Sequence, residues 1–124
     1  MVIVLFGQCV AQKNDKTIAI NRRTGKRFPM TSKVVKEWQD SASEQLSVLD
    51  GSFEGRVQID YMFYVKDNRP RDIDNMICTV NDALVKAGII KNDSWQFLEI
   101  GSANAQIDRE APRVELELTA SVEA

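Results

Sequence analysis

Arg71-Asp72-Ile73-Asp74-Asn75 sets two carboxylates two residues apart where a helix is expected to begin, and Asn92-Asp93 adds a third just beyond its expected end. Carboxylates so grouped suit a hard divalent cation, which takes oxygen ligands and completes its shell with water or substrate oxygens. Such an ion serves phosphodiester hydrolysis by activating water and stabilising the leaving alkoxide. The 124-residue chain has no histidine, so a Ser-His or Cys-His pair, a His-ligated zinc and a histidine base are excluded. Any enzyme here works with carboxylates, lysines or a hard metal. Asp74 is the first choice for a direct ligand, because helix capping accounts for Asp72 and not for Asp74; Asp93 is the second. Asn75 has two readings: it orients a carboxylate or a metal-bound water, or it is an ordinary polar residue of a first turn.

The elements that position these residues follow from local pattern. Pro70 disfavours helical geometry at Arg69, and Asp72 is then a natural N-cap whose carboxylate accepts free backbone donors of the first turn. Ile73, Met76, Ile77, Val80, Leu84 and Ala87 follow the 3, 4, 7 spacing of a buried helical face, with Asp74, Cys78, Asn81, Asp82 and Lys86 elsewhere on the cylinder, and Gly88 closes the helix. Asp82 lies about 12 Å along such a helix from Asp74, whereas paired metals stand about 4 Å apart, so Asp82 reads as structural. Gly88 lies roughly 21 Å from Asp74, and five extended residues return at most about 17 Å. Either the helix is short or bent, or the site takes Asp93 from a neighbouring subunit.

Asp-x-Asp-Asn at a helix start, followed by Asp82-Ala83-Leu84 and then Asp93, resembles the RusA family of Holliday-junction resolvases. The resemblance implies one endonuclease domain over residues 1–124, dimeric and magnesium-dependent with Mn2+ as the alternative ion, that cuts four-way or branched DNA with paired nicks. It puts catalysis and metal binding on Asp72, Asp74 and Asp93, with Arg71 in the basic position before the first aspartate. Where the family carries a catalytic lysine, four residues after the second aspartate, this chain has Cys78.

Charge is distributed unevenly. Residues 1–36 hold eight Lys/Arg against Asp15 alone, a net of +7, while the rest of the chain holds eight basic and 17 acidic side chains, a net of −9. Lys13, Lys16, Arg22, Arg23, Lys26 and Arg27 are therefore candidates for DNA backbone contact, joined by Arg69 and Arg71 beside the aspartates. Asn21-Arg22-Arg23-Thr24-Gly25 has the punctuation of a hairpin loop between strands at Thr17–Ile20 and Lys26–Met30. Its bland alternative is a solvated basic turn.

Val2–Phe6 is an apolar run typical of a buried strand, and a helix capped by Thr31 or Ser32 is expected to run to about Leu46 with Val35, Trp38, Ala42 and Leu46 on one face. Residues 57–65 alternate strictly, Trp95–Ile107 is a less regular strand bent near Gly101, and Val114–Thr119 alternates again. The order predicts an α+β fold, a mixed or antiparallel sheet with two helices packed on it. Cys9 and Cys78 are expected to be buried, reduced thiols. The N-terminus has neither a basic leader nor an apolar run long enough for a signal peptide or membrane span, which predicts a cytoplasmic protein without membrane partners.

Two other readings stand beside the nuclease. One is a weak or inactive junction-binding protein of the same fold, because Cys78 brings no charge. The other is a protein-interaction module that uses its acidic surface.

Overall fold

A computed structural model describes residues 1–11, 16–31 and 33–121. The elements are β1 (Val2–Phe6), β2 (Lys16–Ile20), β3 (Arg27–Thr31), α1 (Lys33–Ser47), β4 (Val57–Val65), α2 (Ile73–Lys86), β5 (Leu98–Ile107) and β6 (Arg113–Ala120). Four strands form one mixed sheet in the order β1-β6-β4-β5, and β2 pairs with β3 as a separate antiparallel hairpin. This is the expected α+β architecture, with strand and helix limits within a few residues of those read from the pattern.

The clean alternation of β4 decides its packing, since side chains two apart share a sheet face. Val57, Ile59, Tyr61 and Phe63 are buried, whereas Gln58, Asp60, Met62 and Tyr64 are only half-buried. Antiparallel pairing sets Tyr61 beside Leu116 and Phe63 beside Val114, and β1 extends the same rows with Ile3 and Leu5. Trp38, Ala42 and Leu46 of α1, together with Met76, Val80 and Leu84 of α2, close the core over this face. Each such large apolar side chain contributes about 1.5–3 kcal/mol on leaving water.

β4, α2 and β5 form a crossover unit, because β5 pairs with β4 in parallel. The register shifts after Ile59, where Gly101 and Ser102 of β5 stand opposite Asp60 alone, one residue in excess. A Cβ at Gly101 would meet the ends of the Asp60 and Gln58 side chains, which would have to turn aside to admit it. β5 and β6 flank β4 on opposite sides, so residues 108–112 cross the end of β4, where Asp108 N–H donates to Val65 O at 2.8 Å. Arg113 ties down this crossing through Asp108 at 2.9 Å and Glu115 at 2.8 Å, with its guanidinium 3.8 Å over the Tyr64 ring.

α2 differs from expectation in how much of it is covered. Asn75, Thr79, Asn81 and Ala83 are buried along with the apolar stripe, while Ile73 is 37% exposed. α1 packs against α2 in addition to the sheet, which widens the buried arc beyond the pattern's single face. Asn81, expected away from the core, accepts a hydrogen bond from the Tyr61 hydroxyl, so both buried polar groups are satisfied. Gly88 ends the helix at φ +76, the left-handed conformation expected of it. Cys9 is buried, and burial pushes its thiol up to about 12. Cys78, expected to be buried, is exposed. The apolar spacing, which sets Cys78 off the buried stripe, is the better guide here than the usual burial of a lone thiol, because Cys serves as a small apolar residue in either setting.

No helix among the described residues is long and apolar enough to cross a membrane.

Candidate active site

The chain leaves β4 at Val65 and is turned back into α2 by a heavily bonded loop. Lys66 N–H donates to Gln8 Oε1 at 2.8 Å, and Asp67 Oδ1 accepts the Arg69 N–H at 3.1 Å. Arg71 closes the loop from the other side. One guanidinium nitrogen lies 2.8 Å from Asp67 Oδ1, and the other donates to the carbonyls of Asp67 and Arg69 at 3.2 Å each. The Arg69 N–H, followed by the Arg71 guanidinium, holds the Asp67 carboxyl below its ordinary range. Arg71 is thereby 15% exposed, whereas Arg69 is 81% exposed and turned to solvent. A cleft of about 150 Å³ runs between this loop and the end of β5, lined by Asp67, Arg69, Arg71, Met76 and Ile107.

Asp72 occupies the N-cap of α2, as its position predicts, but its carboxylate does not cap. Its backbone carbonyl accepts the N–H groups of Asn75 and Met76 at 3.2 and 3.1 Å. The carboxylate is turned instead toward Asn75, whose Nδ2 donates to Asp72 Oδ2 at 3.0 Å. Asp74 lies on the exposed side of the first turn, where Oδ1 accepts the Asn75 N–H at 3.0 Å. One residue thus touches both carboxylates. Among the described residues, Asp72 Oδ1 and Asp74 Oδ2 accept no hydrogen bond, and both acids stand at the helix end whose dipole favours negative charge. Two open carboxylate oxygens from acids two residues apart are of the kind a hard cation that keeps several waters can use.

Asp93 lies elsewhere. Asn92 Oδ1 accepts the Ser94 N–H at 2.7 Å, Ser94 O accepts from Phe97 and Leu98 at 3.0 and 2.9 Å, and Val57 N–H donates to Phe97 O. These bonds hold the loop of Asp93 at the start of β4 and β5. Asp72 and Asp74 follow the other end of β4, a nine-residue strand that spans about 26 Å. The unbroken α2 separates the two ends, and no group of three His, Cys, Asp or Glu able to hold a metal exists among the described residues. The chain brings Asp72 and Asp74 together and leaves Asp93 apart. Asp82 is half-buried farther along α2.

The basic hairpin forms as its punctuation implies. Asn21 O accepts the Gly25 N–H at 2.7 Å, and Asn21 Oδ1 accepts the Arg23 N–H at 2.9 Å. Arg22, Arg23, Lys26 and Arg27 are exposed around this turn. Lys16 begins β2, and Lys13 is outside the described residues. Gln8 and Thr79 support the site without any signal in the sequence, since their partners, Lys66 N–H and Val10 O, are backbone groups 58 and 69 residues away.

Asp72 and Asp74 at the start of α2 are exposed, as is Arg69 in the loop that precedes them, and carboxylates of this kind suit a hard cation. The sequence model of endodeoxyribonuclease RusA matches residues 7–119, and the chain belongs to the RusA family. Membership implies Holliday-junction resolvase nuclease activity, and nucleases of this family generally depend on a divalent metal. No curated protein matches the chain.

Proposed function

We propose that this protein is a magnesium-dependent, structure-selective endodeoxyribonuclease that resolves four-way DNA junctions by paired nicks in recombination and repair, with the whole chain acting as one domain. The observation that carries this reading is the Asp72 carboxylate, which occupies an N-cap and yet leaves the backbone donors alone, facing Asn75 beside Asp74. Asp72 and Asp74 hold Mg2+, with Mn2+ as a substitute. When bound, the ion supplies the positive charge that activates water and stabilises the leaving oxygen. Arg69 meets the phosphate backbone near the scissile bond, and Lys13, Lys16, Arg22, Arg23, Lys26 and Arg27 extend the contact along a junction arm. Arg71 serves the same surface chiefly by holding the loop that presents Arg69.

The separation of Asp93 from the pair supports a homodimer in which each site draws Asp93 from the partner. β5 is an edge strand of ten residues with Ile100 and Ile107 exposed, and an uncovered apolar edge is a surface for strand pairing. Antiparallel pairing of β5 with its two-fold mate sets the Leu98 end of one chain against the Ile107 end of the other, next to Asp72 and Asp74. A dimer also offers two sites to two strands.

Asp74→Asn keeps the size and loses the charge. It is expected to abolish cleavage of four-way-junction DNA in Mg2+ while fold and junction affinity persist; cleavage at the parent rate would refute the metal site. One observation favours a second reading, a junction-binding protein with weak turnover: Cys78 stands exposed one turn beyond Asp74 and carries no positive charge. The rate in Mg2+ separates the two.

A further inference from the structure

The Asn75 side chain has the position and burial to govern the Asp72 carboxylate, and we infer that it is a positioning residue for the metal-binding pair. The inference rests on the proposed function of that pair and deepens it. Asn75 is 6% exposed although it sits in the first turn of a helix whose neighbouring acids are exposed. Its Nδ2 donates to Asp72 Oδ2 at 3.0 Å, and its backbone N–H donates to Asp74 Oδ1 at 3.0 Å. An amide is the suitable group for this task, because it remains a neutral donor where lysine would cancel charge and aspartate would repel. The capping bond that Asp72 forgoes is the alternative conformation against which Asn75 acts.

Asn75 is itself held from behind. Thr79, fully buried one turn on, has its Oγ1 3.0 Å from Asn75 O and donates to Val10 O at 2.6 Å. The Cys9 thiol contacts Met76 O at 3.7 Å. The backbone at the start of α2 is thus fastened to residues 9 and 10, which fixes the point from which the Asn75 amide reaches Asp72. With Asn75 in place, one oxygen of each acid is engaged and the other is presented. Without it, Asp72 is free to fall back onto the backbone donors, and two presented oxygens become one.

The test titrates Mg2+ into the full-length protein by calorimetry. It adds cleavage rates across a Mg2+ series, junction affinity without metal, and thermal unfolding. Asn75→Ala is expected to weaken Mg2+ binding at least tenfold and to move the Mg2+ midpoint for cleavage by the same factor. Turnover should recover at saturating ion, and metal-free junction affinity should not change. Asn75→Leu, which fills the space and lacks the donor, keeps the question answerable if the alanine variant unfolds, and should show the same shift. A residue that merely stabilises the helix would lower the unfolding temperature and leave the Mg2+ midpoint where it was, which would overturn the inference while the metal site stands. If the parent itself neither binds Mg2+ nor cleaves, the function reading falls and the inference with it.

Discussion

Cys78 stands exposed on α2, one turn beyond Asp74, where a side chain leans back toward the helix start. A cation there would lie near developing negative charge, and a thiol offers almost none. Cys78→Lys is expected to raise the junction-cleavage rate at least tenfold, about 1.4 kcal/mol of transition-state stabilisation, with junction affinity nearly unchanged because the gain is specific to the transition state. A flat rate in a folded variant would mean that position 78 does not serve the site or that another cation already does. Asp67 gives a prediction of opposite kind, concerning stability. The Arg69 N–H and the Arg71 guanidinium hold its carboxyl below the ordinary value, so its contribution is present above the unfolded value of about 4 and is lost as pH falls through the folded one. Asp67→Asn should therefore lower the urea midpoint at pH 7 and reduce the loss of stability on acidification. Asp108, lowered mainly by Arg113, gives the parent a further acid-sensitive contact. Equal midpoints for the parent and Asp67→Asn at both pH 7 and pH 3 would show that the loop does not depend on this pairing.

Among the elements, the β2–β3 hairpin carries the most concentrated positive charge on a turn shaped by Asn21 and by Gly25 at φ +72. Each phosphate neutralised releases condensed counterions, so affinity for junction DNA should fall steeply with salt. Replacing Arg22 and Arg23 with glutamine should reduce the slope of log-affinity against log-salt by close to one unit for each phosphate left without its arginine, with little effect on unfolding because both side chains are exposed. A slope that stays at the parent value would remove the loop from the interface. α2 is the element in which two demands meet. Its first turn must present acids to solvent, while its middle supplies Val80, Ala83 and Leu84 to the core. Asn75 and Thr79 resolve the conflict with polar side chains that are buried and bonded.

At the scale of the whole molecule, Asp93 lies at one end of the β4–α2–β5 unit and Asp72 and Asp74 at the other. If each site is shared between subunits, mixing Asp74→Asn chains with Asp93→Asn chains produces heterodimers with one complete site, since the first chain keeps Asp93 and the second keeps Asp74. The mixture is expected to cleave junction DNA although each variant alone is inactive. Silence of the mixture, with subunit exchange demonstrated, would require a different arrangement. Charged substitutions at Ile100 and Ile107 offer the matching test of the β5 edge, with loss of dimer and of Mg2+ binding together.

Much of this protein is legible in its sequence because much of it is locally determined. Strict alternation over 57–65 yields β4 because period-2 burial has one backbone solution. Val35, Trp38, Ala42 and Leu46 are the buried residues of α1 as their spacing requires. Pro70, Asp72 and Gly88 mark the limits of α2 through backbone sterics that act within a few residues. The Asp-x-Asp-Asn pattern also puts Asp72 and Asp74 together at the start of α2, because these acids are neighbours in the chain. Partners distant in sequence leave no such trace. That Asp72 turns to Asn75 instead of the cap depends on the burial of the Asn75 side chain in a helix turn whose backbone is anchored by Thr79 and Cys9. The guanidinium of Arg71 is drawn into its own loop by Asp67, a geometry that a basic residue before an aspartate does not announce. The exposure of Cys78 and the burial of Asn81 depend on where α1 and the sheet lie against α2. The distance from Asp93 to the pair was bounded by helix rise, but the end of the sheet at which Asp93 lies was settled by the parallel pairing of β5 with β4, a long-range hydrogen-bond register.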